Sequence, residues 1–113
     1  MMTRSKNYQD SLLESLADAN EAAAYLNAAL EDGDNEVFLL ALRNVADARV
    51  GGMSKLAEIT GLNRESLYRM LSENGNPELN SLSRLLQALG LKLAVETDET
   101  AEIKGVRPLL RDI

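Results

Sequence analysis

Five side chains between residues 64 and 69 have the chemistry to recognise polar groups on another molecule. Arg64 and Arg69 each carry a planar guanidinium, which can donate two parallel hydrogen bonds to the O6 and N7 atoms of guanine. Glu65 can accept a hydrogen bond from the N4 amino group of cytosine, and Ser66 and Tyr68 can bind a phosphate or a base. This set therefore predicts contact with the base edges of double-stranded DNA.

Further polar residues near this set are better suited to phosphates. Lys55 supplies a positive charge, while Asn63, Asn74 and Asn76 supply amide donors. Ser54 is expected to cap the preceding helix, so that the N–H groups at that helix end can face a phosphate. The predicted DNA-binding set is Ser54, Lys55, Asn63, Arg64, Glu65, Ser66, Tyr68, Arg69, Asn74 and Asn76.

The sequence gives no sign of catalysis or of a bound metal or cofactor. Cysteine and histidine are both absent, which removes the thiolate ligand and the usual general base near neutral pH. There is no nucleophile–base pair and no Gly-rich phosphate loop. Asp32, Asp34 and Glu36 lack the remaining ligand spacing of a calcium loop, and helix capping already explains Asp34. We expect a protein that is not an enzyme and has no cofactor.

The residues that could contact DNA need a scaffold, and residues 53–72 predict a helix-turn-helix. This motif needs a small residue where its helices cross and a residue that accepts positive φ in the turn; Ala57 and Gly61 meet these needs. Asn63 is a good N-cap for the second helix. The inward positions are apolar, namely Leu56, Leu62, Leu67 and Met70.

Apolar residues at helical spacing predict three more helices, over 19–32, 35–49 and 79–89. Asp18 or Asn20 can cap the first and Asp34 the second. The unbroken apolar run 37–42 is interpreted as part of a buried helix rather than a strand, because of its cap and the length of the pattern. Residues 91–95 are predicted to form a short strand, which would pair across the twofold axis of a dimer or, alternatively, with a partner protein.

The expected organisation is a flexible segment over 1–17, a DNA-binding domain over 18–96 and a tail over 97–113. The first segment is expected to be poorly ordered, with a turn of helix around Leu12, Leu13 and Leu16. The chain has neither an apolar run that could span a bilayer nor a signal peptide, so a cytoplasmic protein without membrane contact is expected.

The net charge of −6 is unevenly distributed along the chain. Residues 1–50 carry four basic and nine acidic side chains, residues 51–92 carry five and four, and residues 93–113 carry three and five. The middle segment, which holds the predicted DNA-binding residues, is the only one that is not negative.

Three segments carry a family resemblance within the stretch from Glu21 to Glu96, which is about two-thirds of the 113 residues. They are EAAAYLNAALEDGD (21–34), GGMSKLAEITGLNRESLYRMLSENGNPEL (51–79) and LLQALGLKLAVE (85–96). Together they resemble the probable addiction module antidote protein family, prophage-type DNA-binding proteins with a Cro/C1-type (Xre-like) helix-turn-helix. The resemblance implies an all-α, five-helix, lambda repressor-like domain with a short C-terminal β-strand.

The resemblance also implies that this is the antitoxin of a type II toxin–antitoxin module. Such a protein silences a RelE/HigB-like toxin, an mRNA-cleaving nuclease encoded beside it, and represses the shared promoter as a homodimer on an inverted repeat. By similarity Arg64, Glu65 and Arg69 match base-reading positions, and Asn63 matches a phosphate-contacting one. Thr60 departs from the motif, which usually has an aliphatic residue there.

Two other functions remain open at this point, a stand-alone phage-type repressor and a protein-interaction module without DNA binding. The net charge of −6 favours the second of these. The acidic residues near the predicted helix ends either cover a basic toxin surface or simply favour the helix dipoles. These residues are Asp18, Glu21, Glu31, Asp32, Asp34 and Glu36.

Overall fold

The protein, seen in a computed structural model that describes residues 4–99, is all-helical over that range. Its six helices are α1 (Arg4–Leu16), α2 (Ala19–Asp32), α3 (Asn35–Val50), α4 (Met53–Thr60), α5 (Arg64–Met70) and α6 (Leu79–Ala88). The helices predicted over 19–32, 35–49 and 79–89 are confirmed, with ends that differ by at most one residue. None of the helices in the described range is long and apolar enough to cross a membrane.

Local hydrogen bonds define the ends of α2 and α3. A carboxylate oxygen of Asp18 accepts from the backbone N–H groups of Asn20 and Glu21, at 2.7 and 3.2 Å. Asp34 accepts from the N–H of Glu36 at 2.9 Å. Each bond satisfies a donor that has no partner within its own helix, so the caps predicted for both helices are confirmed. The residue that caps α2 is Asp18 rather than Asn20.

The helices form two groups that meet at α3 and α4. Helices α1, α2 and α3 pack against one another, α3 also contacts α4, and α4 contacts both α5 and α6. One continuous apolar core runs through both groups. Its fully buried large side chains are Leu16, Leu42, Val45, Leu56, Leu67, Leu71, Leu85 and Leu89.

Arg49, near the end of α3, ties the two groups together. Its Nε donates to the backbone carbonyl of Leu89, which ends α6, at 2.9 Å. Its Nη1 donates to the carbonyl of Ala17 in the α1–α2 connection. The two carbonyls lie just beyond the ends of α6 and α1, where the helices provide no donor for them. One guanidinium thus satisfies both.

Two expectations about the chain ends need correction. Instead of a single turn, residues 4–16 form a 13-residue helix, because Leu16 is buried and Leu12 packs against the core. The strand expected over 91–95 is not formed; the described residues contain no partner strand, and Leu93 and Val95 are 43% and 99% exposed. The part of the tail from residue 100 onward lies outside the described residues.

The apolar run over 37–42 is helical as predicted, but it is not buried throughout. Leu39 and Leu42 lie in the core, whereas Val37 and Leu40 are 40% and 50% exposed. The helical repeat turns residues three apart onto one face, so this face of α3 presents apolar side chains to solvent.

Candidate nucleic-acid interface

Helices α4 and α5 form a short helix pair with a tight connection. Gly61 ends α4 with φ of 76°, and its N–H donates to the carbonyl of Ala57 at 2.9 Å. Between the helices Leu56 and Leu67 are fully buried, and Ala57 is 7% exposed. The sequence predictions for the small residue, the positive-φ residue and the shared apolar positions are confirmed.

The connection is fixed by side chains on both sides of Gly61. The amide oxygen of Asn63 accepts from the N–H of Ser66 at 2.9 Å and so caps α5, as predicted. The Thr60 hydroxyl donates to the carbonyl of Leu56 at 2.8 Å and accepts from the N–H of Leu62 at 3.3 Å. A hydroxyl therefore stabilises this corner through hydrogen bonds, where an aliphatic residue would do so through packing.

The start of α4 differs from the expectation for Ser54. Gly52, with φ of 124°, occupies the N-cap position, and no side chain accepts from the first N–H groups of the helix. Ser54 lies one residue inside the helix and is exposed. Because the backbone turn at Gly52 already begins the helix, Ser54 is not its cap. The neighbouring Lys55 is paired with Glu58 at 3.6 Å, and both side chains are largely exposed.

The outer face of α5 carries the residues predicted to contact bases. Arg64, Glu65, Tyr68 and Arg69 are exposed, and Ser66 is half-buried. The guanidinium carbon of Arg64 lies 5.9 Å from the centre of the Tyr68 ring, within the range of a cation–π contact. The Nη2 atom of Arg69 donates to the Ser66 hydroxyl at 3.3 Å. Both arginines are thus held along α5 by neighbours on the same helix.

A cleft of about 420 Å³ brings together Ser66, Arg69, Asn74 and Asn76 of the predicted set. The other six predicted residues do not line it. Arg64 and Tyr68 form their own contact, Ser54 and Lys55 lie on α4, and Asn63 and Glu65 lie at the start of α5. The sequence analysis missed the contribution of α6 to this cleft. Glu78 and Ser81 also line it, and no local motif links them to α5.

The wall of this cleft depends on close approach of the backbone at Gly75. A Cβ atom on Gly75 would lie 2.1 Å from the carbonyl oxygen of Met70, so only glycine fits without moving the loop. The Ser72 hydroxyl donates to the carbonyl of Arg69 at 2.7 Å, and the N–H of Gly75 donates to the carbonyl of Ser72 at 2.8 Å. These contacts hold the loop that carries Asn74 and Asn76 against the end of α5.

The arrangement can offer donors to an extended anionic molecule along α4, α5 and the loop after them. The uncapped N–H groups of α4 favour an anion, and the exposed cations are Lys55, Arg64 and Arg69. Over residues 4–99 there is no group of three or more acidic side chains placed to hold a metal ion.

Comparison with known proteins gives a family match over most of the chain. The model of a family described as "Probable addiction module antidote protein" matches residues 7–97, which include all ten predicted DNA-binding residues. An uncharacterised protein from Haemophilus influenzae is 36% identical over 88 residues, which are 78% of this chain and 89% of that protein. No solved structure matches the chain.

Proposed function

Because the chain belongs to the probable addiction module antidote protein family, we propose that it is the antitoxin of a type II toxin–antitoxin module. In this proposal it acts in the cytoplasm without enzymatic activity, neutralises a RelE/HigB-like toxin and represses its own operon as a homodimer on an inverted repeat. The observation that carries the DNA-binding part is the exposed face of α5, a helix that is capped by Asn63 and presents Arg64 and Arg69 to solvent, with Arg69 at the cleft.

In the proposed complex α4 and α5 act as a Cro/C1-type helix-turn-helix. Helix α5 enters the major groove, where Arg64, Glu65 and Arg69 read base edges. Lys55 exchanges its exposed partner Glu58 for a phosphate, and the amide groups of Asn63, Asn74 and Asn76 donate to the backbone. The Asn63 oxygen is already used by the cap, so its NH₂ group is the part that contacts DNA.

The DNA-binding proposal is tested by fluorescence anisotropy of the purified protein on its own upstream DNA and on a scrambled duplex, across a salt series. We expect tighter binding to the native duplex and a steep decrease in affinity with salt, since phosphate contacts release counterions. Arg64→Ala and Arg69→Ala should each lose about 1–3 kcal/mol, roughly 5- to 150-fold in affinity, if each arginine reads a guanine.

Arg84→Ala is the matched control, because Arg84 is an exposed arginine on α6 outside the predicted set. It removes the same charge, so a general electrostatic effect would weaken binding in all three variants alike. Equal and weak binding of the wild-type protein to both duplexes would refute the operator-reading role.

The antitoxin part is tested with the small protein encoded by the neighbouring reading frame. Coexpression should yield a complex that copurifies, and growth inhibition by that protein alone should be relieved when this chain is present. If the neighbouring product is not toxic and forms no complex, the chain would be a stand-alone repressor.

A second candidate function is a protein-interaction module that does not bind DNA. The net charge of −6 favours it, because phosphates repel an acidic surface. Under this hypothesis the neighbouring protein still binds, while Arg64→Ala and Arg69→Ala change nothing in either assay.

A further inference from the structure

A groove on the outer side of α3 has an apolar floor. It has a volume of about 630 Å³ and is lined by Glu36, Val37, Leu40 and Arg43 of α3 and by Ser72 and Glu73 after α5. We call it the α3 groove. Val37 and Leu40 are the exposed members of the apolar run over 37–42, whereas their neighbour Leu39 is buried in the core. The chain itself therefore leaves two branched apolar side chains exposed in a concave surface.

The rim of the α3 groove carries carboxyl groups that repel each other. A hydrogen bond with Glu73 and the negative charge of Glu73 raise the pKa of Glu36, and desolvation and the charge of Asp34 add to this in the same direction. Arg43 lines the groove as well, so two carboxyls and one guanidinium leave it with a net negative charge. Glu36 and Glu73 are 37 positions apart in sequence, and the packing of the α5–α6 loop beside α3 brings them together.

An apolar floor beside two carboxyls that repel each other is complementary to a particular kind of surface. A lysine or arginine placed between the carboxyls would offset their negative charge, and an apolar side chain next to it would cover Val37 and Leu40. A second copy of this chain fits less well, because its N-terminal half is itself strongly acidic and would bring like charge to the groove.

We propose that the α3 groove is the docking site for the toxin partner, which presents a lysine or arginine flanked by apolar residues to Glu36, Glu73 and Leu40. The inference rests on the antitoxin function proposed above and adds the surface that performs it. It also assigns a role to Glu36, one of the six acidic residues for which the sequence alone leaves open toxin cover or helix-dipole stabilisation.

The test uses the full chain, with the protein encoded by the neighbouring reading frame as the probe, and measures affinity by isothermal titration calorimetry. The main variant is Glu36→Gln/Glu73→Gln, which keeps the shape of the groove and removes the repulsion, so it should unfold at the same temperature as the wild type or higher. Its affinity for the partner should nevertheless decrease about 30-fold or more if a cation is held between the carboxyls.

A matched control is Asp10→Asn/Glu14→Gln, which removes two exposed charges four residues apart on α1 that do not line the groove. It should bind the partner as the wild type does. Leu40→Asn tests the apolar floor separately and should also weaken binding, with an unchanged circular dichroism spectrum. Each variant should bind operator DNA at least as tightly as the wild type, which shows that the fold is intact.

Wild-type affinity in both the Gln double variant and Leu40→Asn would overturn the docking site while leaving the antitoxin function in place. Failure of the wild-type chain to bind the neighbouring protein would overturn both. Light scattering of the Gln double variant without the partner gives its oligomeric state. A molar mass different from that of the wild type would assign the groove to contact between copies of this chain and would equally overturn the proposal.

Discussion

Replacing Arg49 with alanine tests whether a single side chain holds the two helix groups together. Arg49 lies on α3 and donates to the carbonyl of Ala17 on one side and to the carbonyl of Leu89 on the other. The two acceptors are 72 residues apart in sequence. Without the guanidinium, both carbonyls lose a charged donor and the end of α6 loses its link to α3.

The magnitude follows from the number and the exposure of the bonds. A hydrogen bond with a charged partner contributes about 1.5–3 kcal/mol when it is shielded from water and less when it is exposed. The bond to Leu89 is partly buried and the bond to Ala17 is exposed. We therefore expect Arg49→Ala to lower the free energy of unfolding by about 2–4 kcal/mol, a large part of the roughly 5–15 kcal/mol typical of a domain.

The assay is urea unfolding followed by far-ultraviolet circular dichroism, with Arg84→Ala as the control for loss of an exposed arginine. The free energy of unfolding of Arg49→Lys should lie between those of the wild type and Arg49→Ala. A lysine ammonium lacks the planar set of donors of a guanidinium, so it is expected to satisfy only one carbonyl. Ordinary surface substitutions change the free energy of unfolding by about 0.5 kcal/mol at most. If the values for Arg49→Ala and Arg84→Ala differ by no more than about this amount, Arg49 does not link the two groups.

Three further changes test individual features of the structure. Asn63→Ala should lower the free energy of unfolding in urea by about 0.5–2 kcal/mol through loss of the α5 cap, and Asn63→Asp should restore it; equal stability of the two would contradict the capping role. Gly75→Ala should lower the thermal midpoint and weaken DNA binding, because its Cβ would overlap the Met70 carbonyl oxygen; wild-type values in both assays would show that the loop adjusts freely. Glu73→Gln should lower the pKa of Glu36 toward its ordinary value, as followed by NMR titration of the side-chain carboxyl. Since that pKa is raised in the folded state, the wild-type protein should become less stable as pH rises through it. This dependence should be weaker in the variant, where only desolvation and Asp34 still raise the pKa; an identical pH profile would contradict the repulsion.

Helix ends were predictable from the sequence where the signal is local. Asp18, Asp34 and Asn63 each accept from a backbone N–H two or three residues away, so their type and position are sufficient. Gly61 was predictable for the same reason, because its positive φ depends on the conformation of that residue alone. Ser54 was wrongly predicted as a cap since both Gly52 and Ser54 are acceptable near a helix start, and the choice depends on the backbone direction at the end of α3.

Elements that depend on distant partners were not predictable in this way. Helix α1 has a polar sequence, and its burial of Leu16 depends on α3, which lies further along the chain. The alternating apolar residues over 91–95 suggested a strand, but a strand needs a second strand to satisfy its backbone, and none exists in the described part of the chain.

The candidate interface shows the same division. Side-chain types selected Arg64 and Arg69 correctly as exposed residues of one helix, because the helical repeat fixes their face relative to Leu67. The position of Asn74 and Asn76 beside Arg69 depends on the close approach of Gly75 to Met70, which no local pattern encodes. The pairing of Glu36 with Glu73 likewise arises only when the loop packs beside α3.

The two proposed surfaces meet at the loop after α5, and this affects how an acidic chain can bind DNA. Ser72 lines both the α3 groove and the cleft that holds Asn74 and Asn76. Glu73 therefore places negative charge next to the residues proposed to contact phosphates, where salt at about 0.1 M screens charges only beyond roughly 10 Å. Glu36 and Glu73 line the same groove in the free protein, and the hydrogen bond and charge of Glu73 raise the pKa of Glu36. A partner cation held between them would reduce their repulsion of phosphate as well, so occupation of the α3 groove should favour DNA binding on α5 rather than compete with it.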